Sequence, residues 1–423
     1  MKTFVVILSI LLPVYSFSAP LDEAAKYHKS GWENYNKGKY DQSLASFMKA
    51  KTIYEKELGK KDLKTANSYN NVGLVYNSQG KHDKALEYYF KANKIYEKSS
   101  KKTYTATNYN NIGVVYYKKG NYEKALEYHF KGLKIREKLL GKGHAVTAES
   151  YDNIGLVYER KGEYDQALDY FLKSLKIKKK TLGNGDTKTA TTNNNIGLVY
   201  YRKGEYDKAL EYHLKCVKVY EKNLGKDHPY TAYSYKNIGI TYDTMGDYDK
   251  ALEYPFKSLK SREKALGKDH PDIAQSLNNL GAVYSHKKNY SKSVEYYQKA
   301  LKIRKKALGE DHPLTAQSYN NLGAIYTQKK DYEKSLEFYN KALTIKKKGL
   351  GEDHPDTATS YSNISLVYYR QKKYPKAKEY IQKAISIREK KLGKDHPYTK
   401  ASNKLLAEID KALGGFKTPV ETK

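Results

Sequence analysis

Apolar and aromatic side chains recur along this chain at the three- and four-residue spacing that is typical of amphipathic α-helices. The spacing predicts helices in pairs. A first helix, which we call helix A, is predicted over 230–245 and ends at the turn Met245-Gly246-Asp247. A second helix, helix B, is illustrated by 206–224, with Asp207 in its first turn and Gly225 at its C-terminal cap. The pattern predicts an all-α protein with almost no strand.

A glycine in the middle of helix A marks an internal repeat. The first step between successive glycines is 40 residues, and the next five steps are 42 residues. Gly31 lies one step before this series and Ser365 one step after it, which gives nine repeats over 20–396. We predict a capping helix at 397–413 and a flexible tail at 414–423. The seven glycines are Gly73, Gly113, Gly155, Gly197, Gly239, Gly281 and Gly323.

The repeat carries a recognisable set of residues. We number helix A so that its glycine is position 8; positions 4, 7 and 11 are then apolar or Tyr. In repeat two the pattern residues are Tyr69, Val72, Gly73, Tyr76, Ala85, Tyr89 and Ala92. This pattern resembles the tetratricopeptide repeat, and the 42-residue length with the linker LGKDHP at 224–229 resembles the kinesin light chain type. The resemblance implies a right-handed α-solenoid whose concave groove is lined by positions 2, 6, 9 and 13 of the A helices.

The N-terminus has the pattern of a secretory signal peptide. Lys2 is followed by the apolar run 4–14, and Ser16-Phe17-Ser18-Ala19 offers small residues for cleavage after Ser18 or Ala19. An uncleaved membrane anchor is the alternative, but about 20 apolar residues are needed to span a bilayer. We therefore expect residues 1–19 to be removed and the mature chain to be exported, either periplasmic or secreted, without a transmembrane segment. A single Cys suits an oxidising compartment.

The formal net charge of +31 comes from 78 basic and 47 acidic residues. The charge is spread evenly rather than gathered in one patch, and a codon bias towards Lys, Tyr and Asn would also produce it. Many cations lie near the C-terminal ends of B helices, as at 176–180 and 304–306. There they complement the helix dipole, and we expect them to face solvent.

No residue pattern points to catalysis, so we predict that the protein is not an enzyme and needs no cofactor or metal. The histidines of the Asp-His-Pro linkers belong to different repeats, and we expect each to mark a capped helix start rather than a metal site. Cys216 occupies a position that is small in every repeat, which indicates a buried structural thiol. Pro255 lies inside a predicted B helix, where it should break a hydrogen bond and kink the helix.

The candidate binding residues lie on the groove face of helix A. Position 6 is Asn in eight repeats, and such a row offers donors and acceptors to an extended peptide backbone. The alternative is that these amides bridge neighbouring A helices. Position 9 is apolar, as at Leu156 and Leu198, and position 13 is cationic in three consecutive repeats, at Lys118, Arg160 and Arg202. The row of asparagines that we select is Asn111, Asn153, Asn195, Asn237, Asn279 and Asn321.

Two functions fit these residues. The first is a protein-interaction scaffold that holds an extended acidic peptide in the groove, anchored by the position-13 cations. The second is a diffuse basic binder of a polyanion or of an anionic surface. We do not expect a nucleic-acid partner, because the chain shows no base-reading motif.

Overall fold

The computed structural model describes residues 19–414; residues 1–18 of the predicted signal peptide (1–19) and residues 415–423 of the predicted tail (414–423) lie outside the described residues. Nineteen helices and no strand occur within that range, as the sequence predicted. The A helices have odd numbers and the B helices even numbers. The helices are α1 (Ala19–Asn36), α2 (Tyr40–Leu58), α3 (Leu63–Ser78), α4 (His82–Tyr96), α5 (Lys102–Lys118), α6 (Tyr122–Leu140), α7 (Ala145–Lys161), α8 (Tyr164–Thr181), α9 (Thr187–Lys203), α10 (Tyr206–Asn223), α11 (Pro229–Met245), α12 (Tyr248–Leu266), α13 (Pro271–His286), α14 (Tyr290–Leu308), α15 (Pro313–Gln328), α16 (Tyr332–Leu350), α17 (Pro355–Arg370), α18 (Tyr374–Leu392) and α19 (Pro397–Gly414).

The predicted single array divides into two compact units, 1–203 and 204–423. In the described part of the first unit, each A helix from α1 to α7 packs against its own B helix, and that B helix packs against the next A helix. The second unit repeats the arrangement from α11 onwards and ends with α19 on α18. The segment predicted as a capping helix is α19, and its Ile409 is fully buried in the core formed by α16 to α18.

The mid-helix glycine lets each A helix approach its B helix closely. A Cβ atom built on Gly155 would lie 2.8 Å from the ring of Phe171, closer than real Cβ atoms approach a neighbour. The same contact recurs with other rings sixteen residues after the glycine. In repeat nine, Ser365 replaces the glycine and Ile381 replaces the ring. The Ser365 hydroxyl donates a hydrogen bond to the carbonyl of Ala377 at 2.6 Å. The recurring pairs are Gly31–Phe47, Gly73–Tyr89, Gly113–His129, Gly239–Pro255, Gly281–Tyr297 and Gly323–Tyr339.

Pro255 takes the place of the ring in α12. Its Cδ lies 2.8 Å from the Cβ position of Gly239, and the side chain is buried. Helix α12 nevertheless continues as one element from Tyr248 to Leu266. The Pro therefore does not end the helix, and its ring fills the same space that an aromatic side chain fills in other repeats.

Each linker histidine caps the following A helix. The Nδ1 atom of His228 accepts a hydrogen bond from the backbone N–H of Tyr230 at 3.2 Å, and Pro229 is the first helical residue. Asp62 and Asp186 stand in the same register and cap α3 and α9 with a carboxylate oxygen. The side chain that caps is thus the His of Asp-His-Pro, and the Asp before it is available for another partner.

The expectation that cations near the ends of B helices face solvent is wrong for one register. Lys178 is 3% exposed and Arg304 is 1% exposed. Arg304 donates to the carbonyl of Leu314 at 2.8 Å and to the hydroxyl of Ser318 at 3.0 Å, both on the next A helix. Lys178 forms an ion pair with Asp152 and donates to the Thr192 hydroxyl at 3.0 Å. The first turns of the following helix supply acceptors to both cations, and for Lys178 the A helix of its own repeat adds the carboxylate of Asp152.

The glycine–ring contact predicts that Gly155→Ala destabilises the first unit. The added methyl group overlaps the Phe171 ring, and overpacking of this kind costs roughly 1–3 kcal/mol. Thermal unfolding followed by circular dichroism should show a lower midpoint. The double variant Gly155→Ser, Phe171→Ile copies repeat nine and should recover much of the loss. An unchanged midpoint in the single variant would show that the contact is not limiting.

Two histidines in the ring register predict that stability falls in acid. Burial lowers the pKa of His129 and of His213 to about 4. His129 faces Asn110, and the nearby Arg136 further disfavours a charged ring. Because the folded pKa lies below the unfolded value of 6.5, the contribution is complete above pH 6.5 and is lost as the pH falls towards 4. The double variant His129→Phe, His213→Phe should show a smaller drop in melting temperature across this range.

Candidate functional site

Three cations follow one another on the A-helix face of the first unit. Lys118, Arg160 and Arg202 occupy position 13 of α5, α7 and α9, and all three are exposed. Leu156 lies one helical turn before Arg160, and Leu198 lies one turn before Arg202; both are half-buried. The structure therefore places the predicted anchor residues in one row, with an apolar side chain beside each arginine.

The two arginines share an acidic neighbour. The Glu159 carboxylate lies 3.7 Å from the Nε of Arg160 and 3.7 Å from the Nε of Arg202. The Nε of Arg160 also donates to the hydroxyl of Tyr117 at 2.9 Å. These contacts orient the guanidinium groups while more than half of each side chain stays exposed, at 56% for Arg160 and 54% for Arg202. Their remaining N–H groups are placed to bind a carboxylate.

The contacts at position 13 belong to a ladder between consecutive A helices that the sequence did not reveal. At several steps, position 13 of one helix contacts position 12 of the preceding helix, as Arg160 contacts Tyr117 and Arg202 contacts Glu159. In the second unit, His286 lies 2.8 Å from the Asp243 carboxylate. In the first unit, the Ser78 and Tyr35 hydroxyls lie 2.9 Å apart. Side chains 43 residues apart meet at this step, so the signal is a pairing between positions 12 and 13 of successive repeats.

A second ladder runs through the predicted asparagines. The amide N–H of Asn111 donates to Asn70 at 3.0 Å, and that of Asn321 donates to Asn278 at 3.4 Å. Asn71 and Asn363, in the same register, make equivalent contacts at 2.7 Å to His28 and at 2.8 Å to Asn320. At these four steps the amide bridges neighbouring A helices, which is the alternative that the sequence left open.

The other selected asparagines are at least half-buried on the same register. Asn279 accepts from Gln275 at 3.1 Å, and Asn237 is 6% exposed. Asn153 and Asn195 are half-buried on α7 and α9, about two turns before Arg160 and Arg202 on the same helical face. Contact of these amides with a peptide stays a prediction; what the geometry shows is a polar strip that positions the A helices.

An open depression of about 550 Å³ lies beside the cation row, between α3, α5 and α7 and the turns that follow the first two of them. Lys118 and Arg160 are in its wall, and no carboxylate is among the residues that line it. Two buried polar atoms in the wall lack a hydrogen-bond partner, Oδ1 of Asn77 and Nδ1 of His82. Burial and the nearby Lys118 and Lys119 lower the pKa of His82. The other lining residues are Ser78, Gly80, Tyr117, Gly120 and Tyr122.

The described residues give little support to a reactive thiol, a metal site or a membrane-spanning helix. Cys216 is fully buried in α10, with its Sγ 3.5 Å from the Ser234 hydroxyl, as expected for a structural thiol. Between residues 19 and 414, no group of three or more His, Cys, Asp or Glu side chains is arranged to hold a metal ion. None of the helices in this range combines the length and the apolar character needed to cross a bilayer.

A family model matches most of the chain. The model of the tetratricopeptide repeat matches residues 23–98, 104–180, 188–254, 257–306, 272–348, 315–390 and 356–418. Comparison with curated proteins gave no match.

Solved structures of low sequence identity share the fold. The apo form of the quorum sensor NprR from B. thuringiensis is 16% identical over 84% of this chain and 99% of its own, with a TM-score of 0.58. The apo form of RapI is 19% identical over 67% of this chain and 98% of its own, with a TM-score of 0.52. A putative kinesin light chain from Podosopora anserina with nearly identical repeats is 21% identical over 48% of this chain and 97% of its own, with a TM-score of 0.44.

Proposed function

We infer the function from one premise: this chain belongs to the tetratricopeptide repeat family. The fold is an interaction scaffold, and proteins built from this repeat bind protein or peptide partners. We propose that this scaffold binds an extended, acidic peptide along the A-helix face of its first unit and that it performs no catalysis.

The observation that carries this proposal is the row of Lys118, Arg160 and Arg202 beside a depression without carboxylates. Arg160 is oriented by a hydrogen bond to Tyr117, and both Arg160 and Arg202 lie beside the carboxylate of Glu159. An acidic side chain of the peptide would pair with the free edges of the guanidinium groups. A neighbouring apolar side chain would contact Leu156 or Leu198.

The depression supplies polar partners beyond the arginines. Asn77 and His82 each present a buried polar atom without an internal partner, which a bound carboxylate, amide or water would satisfy. Lys118 forms no ion pair with any carboxylate in residues 19–414, so its charge is available to a ligand. These features favour a peptide with a carboxylate near its point of entry into the depression.

We also propose that the protein acts outside the cytoplasm. The support is the sequence of residues 1–19 together with the position of α1, which begins at Ala19 and whose first buried residue is Ala24. Removal of the proposed signal peptide would therefore leave the buried contacts of α1 in place. N-terminal sequencing of the exported protein should begin at Ala19 or Pro20; an exported chain that still begins at Met1 would contradict cleavage.

The double variant Arg160→Glu, Arg202→Glu should abolish binding of an acidic peptide. Each charge-assisted contact that is lost contributes roughly 1.5–3 kcal/mol, and the new carboxylates repel the ligand. Binding is measured by isothermal titration with a partner segment identified by pull-down with the exported protein. Helicity and the melting temperature should change little, since both side chains are exposed.

The matched control reverses two charges on the opposite helices of the same unit. Lys134 and Lys176 are exposed and stand in one register on α6 and α8. The variant Lys134→Glu, Lys176→Glu changes the net charge by the same amount away from the A-helix face. If it weakens binding as much as the arginine pair, diffuse electrostatics governs binding and the peptide site is wrong.

A further inference from the structure

One edge of the second unit carries a regular series of ion pairs. The edge is formed by the loops that lead from each B helix to the next A helix. The Asp of the first four Asp-His-Pro linkers pairs with a Lys that lies 37 residues later, at the end of the following B helix. The pairs are Asp227–Lys264 at 2.8 Å, Asp269–Lys306 at 2.5 Å, Asp311–Lys348, and Asp353–Lys390 at 2.6 Å.

The same edge of the first unit keeps the lysines and lacks these acids. Lys138 and Lys180 stand in the register of Lys264 and Lys306. Lys101 occupies the linker position that should pair with Lys138, and Gly143 occupies the position that should pair with Lys180. Neither lysine forms an ion pair with a carboxylate of the described chain. In the second unit the four lysines of the series are each attracted by an Asp. In the first unit the paired position of Lys138 holds Lys101, which repels it, and that of Lys180 holds Gly143, which leaves its charge unbalanced.

Positive charge accumulates along this edge as a result. The three consecutive loop regions 97–102, 137–144 and 179–186 contain seven exposed lysines and three acidic residues. The acidic side chains already have partners inside the protein: Glu97 accepts from Asn93, Glu137 accepts from Tyr151, and Asp186 caps α9. The lysines are Lys98, Lys101, Lys102, Lys138, Lys142, Lys179 and Lys180.

Leucine side chains project among these lysines. Leu139 is 47% exposed, and Leu140 and Leu182 are each 38% exposed. The residues in the register of Leu139 in the second unit carry no large apolar side chain: they are Asn223, Ala265, Ala307, Gly349 and Lys391. The edge of the first unit therefore combines unbalanced positive charge with an apolar side chain that the second unit lacks at that position.

We propose that this edge docks on the surface of an anionic lipid bilayer. Lysines near such a surface gain from its negative potential, and leucines gain by entering the boundary between headgroups and acyl chains. A soluble polyanion would satisfy the lysines but would offer nothing to Leu139. Because three neighbouring loops present these side chains along one edge, the arrangement suits an extended surface. The A-helix face is a separate surface and would stay open to a peptide.

The test introduces an Asp at two linker positions of the first unit that lack one. The variant Lys101→Asp, Gly143→Asp recreates the linker aspartates of the second unit opposite Lys138 and Lys180. A Cβ on Gly143 meets no atom within 4 Å, and an Asp at either site lies near a helix N-terminus. We expect this variant to melt at the same temperature as the native chain or higher. Binding to sedimented vesicles of equal parts phosphatidylglycerol and phosphatidylcholine should fall about tenfold or more.

The matched control makes the same substitutions and charge change in the second unit. The variant Lys268→Asp, Gly349→Asp alters exposed sites there, and a Cβ on Gly349 also has open space. It should bind the mixed vesicles as the native chain does. Equal loss in the two variants, or a native chain that does not bind these vesicles, would overturn the proposal.

Leu139→Asn separates a membrane from a soluble polyanion. It should weaken binding to the mixed vesicles and leave binding to heparin unchanged, since only the bilayer accepts an apolar side chain. If the native chain binds heparin and the Leu139 variant binds the vesicles undiminished, charge alone is responsible and the membrane proposal is wrong. The Arg160→Glu, Arg202→Glu variant should remain fully able to bind vesicles.

Discussion

The close approach of each A helix to its own B helix is the constraint on which the rest of the structure depends. A backbone without a side chain at position 8 admits a ring from the partner helix, and the ring then fills the space between the two helices. This contact sets the geometry of the hairpin, and the hairpin sets which side chains of helix A remain outside. The exposed row of Lys118, Arg160 and Arg202 exists because positions 4, 7, 8 and 11 are used inside.

Much of the fold could be predicted from the sequence because positions of the repeat are distinguished by the size of their side chains. Glycine, small and aromatic residues recur at fixed steps, so the helices, their pairing and the family follow from periodicity. The burial of individual polar residues and their hydrogen-bond partners could not be predicted from periodicity. Lys178 and Arg304 look like solvated charges at a helix end, and only the first turns of the following helix show that each has partners in the interior. A single repeat does not contain that information.

The candidate site shows the same division. Its cation row was predicted because position 13 is basic in three consecutive repeats. The ladder between positions 12 and 13 was missed, and the bridging of neighbouring helices by position 6 was predicted only as an alternative, since both ladders join residues 41–43 apart whose meeting depends on how neighbouring helices are offset. The result changes the meaning of the residues: Asn111 and Asn321 hold helices in place, and Glu159 orients two arginines that would otherwise be mobile.

The buried cations also bear on how the chain avoids assembling in the wrong order. Repeats that resemble one another offer many incorrect neighbours while the chain folds. At the register of Lys178 the side chain changes along the sequence, with Tyr96, Arg136, Lys178 and Tyr220 in four successive repeats. Lys178 finds Asp152 and Thr192 only when its own neighbours are in place; next to another repeat it would be buried as an unpaired charge. The junction that contains Lys178 therefore disfavours a foreign neighbour, and the repeats on either side of it are not interchangeable with the others.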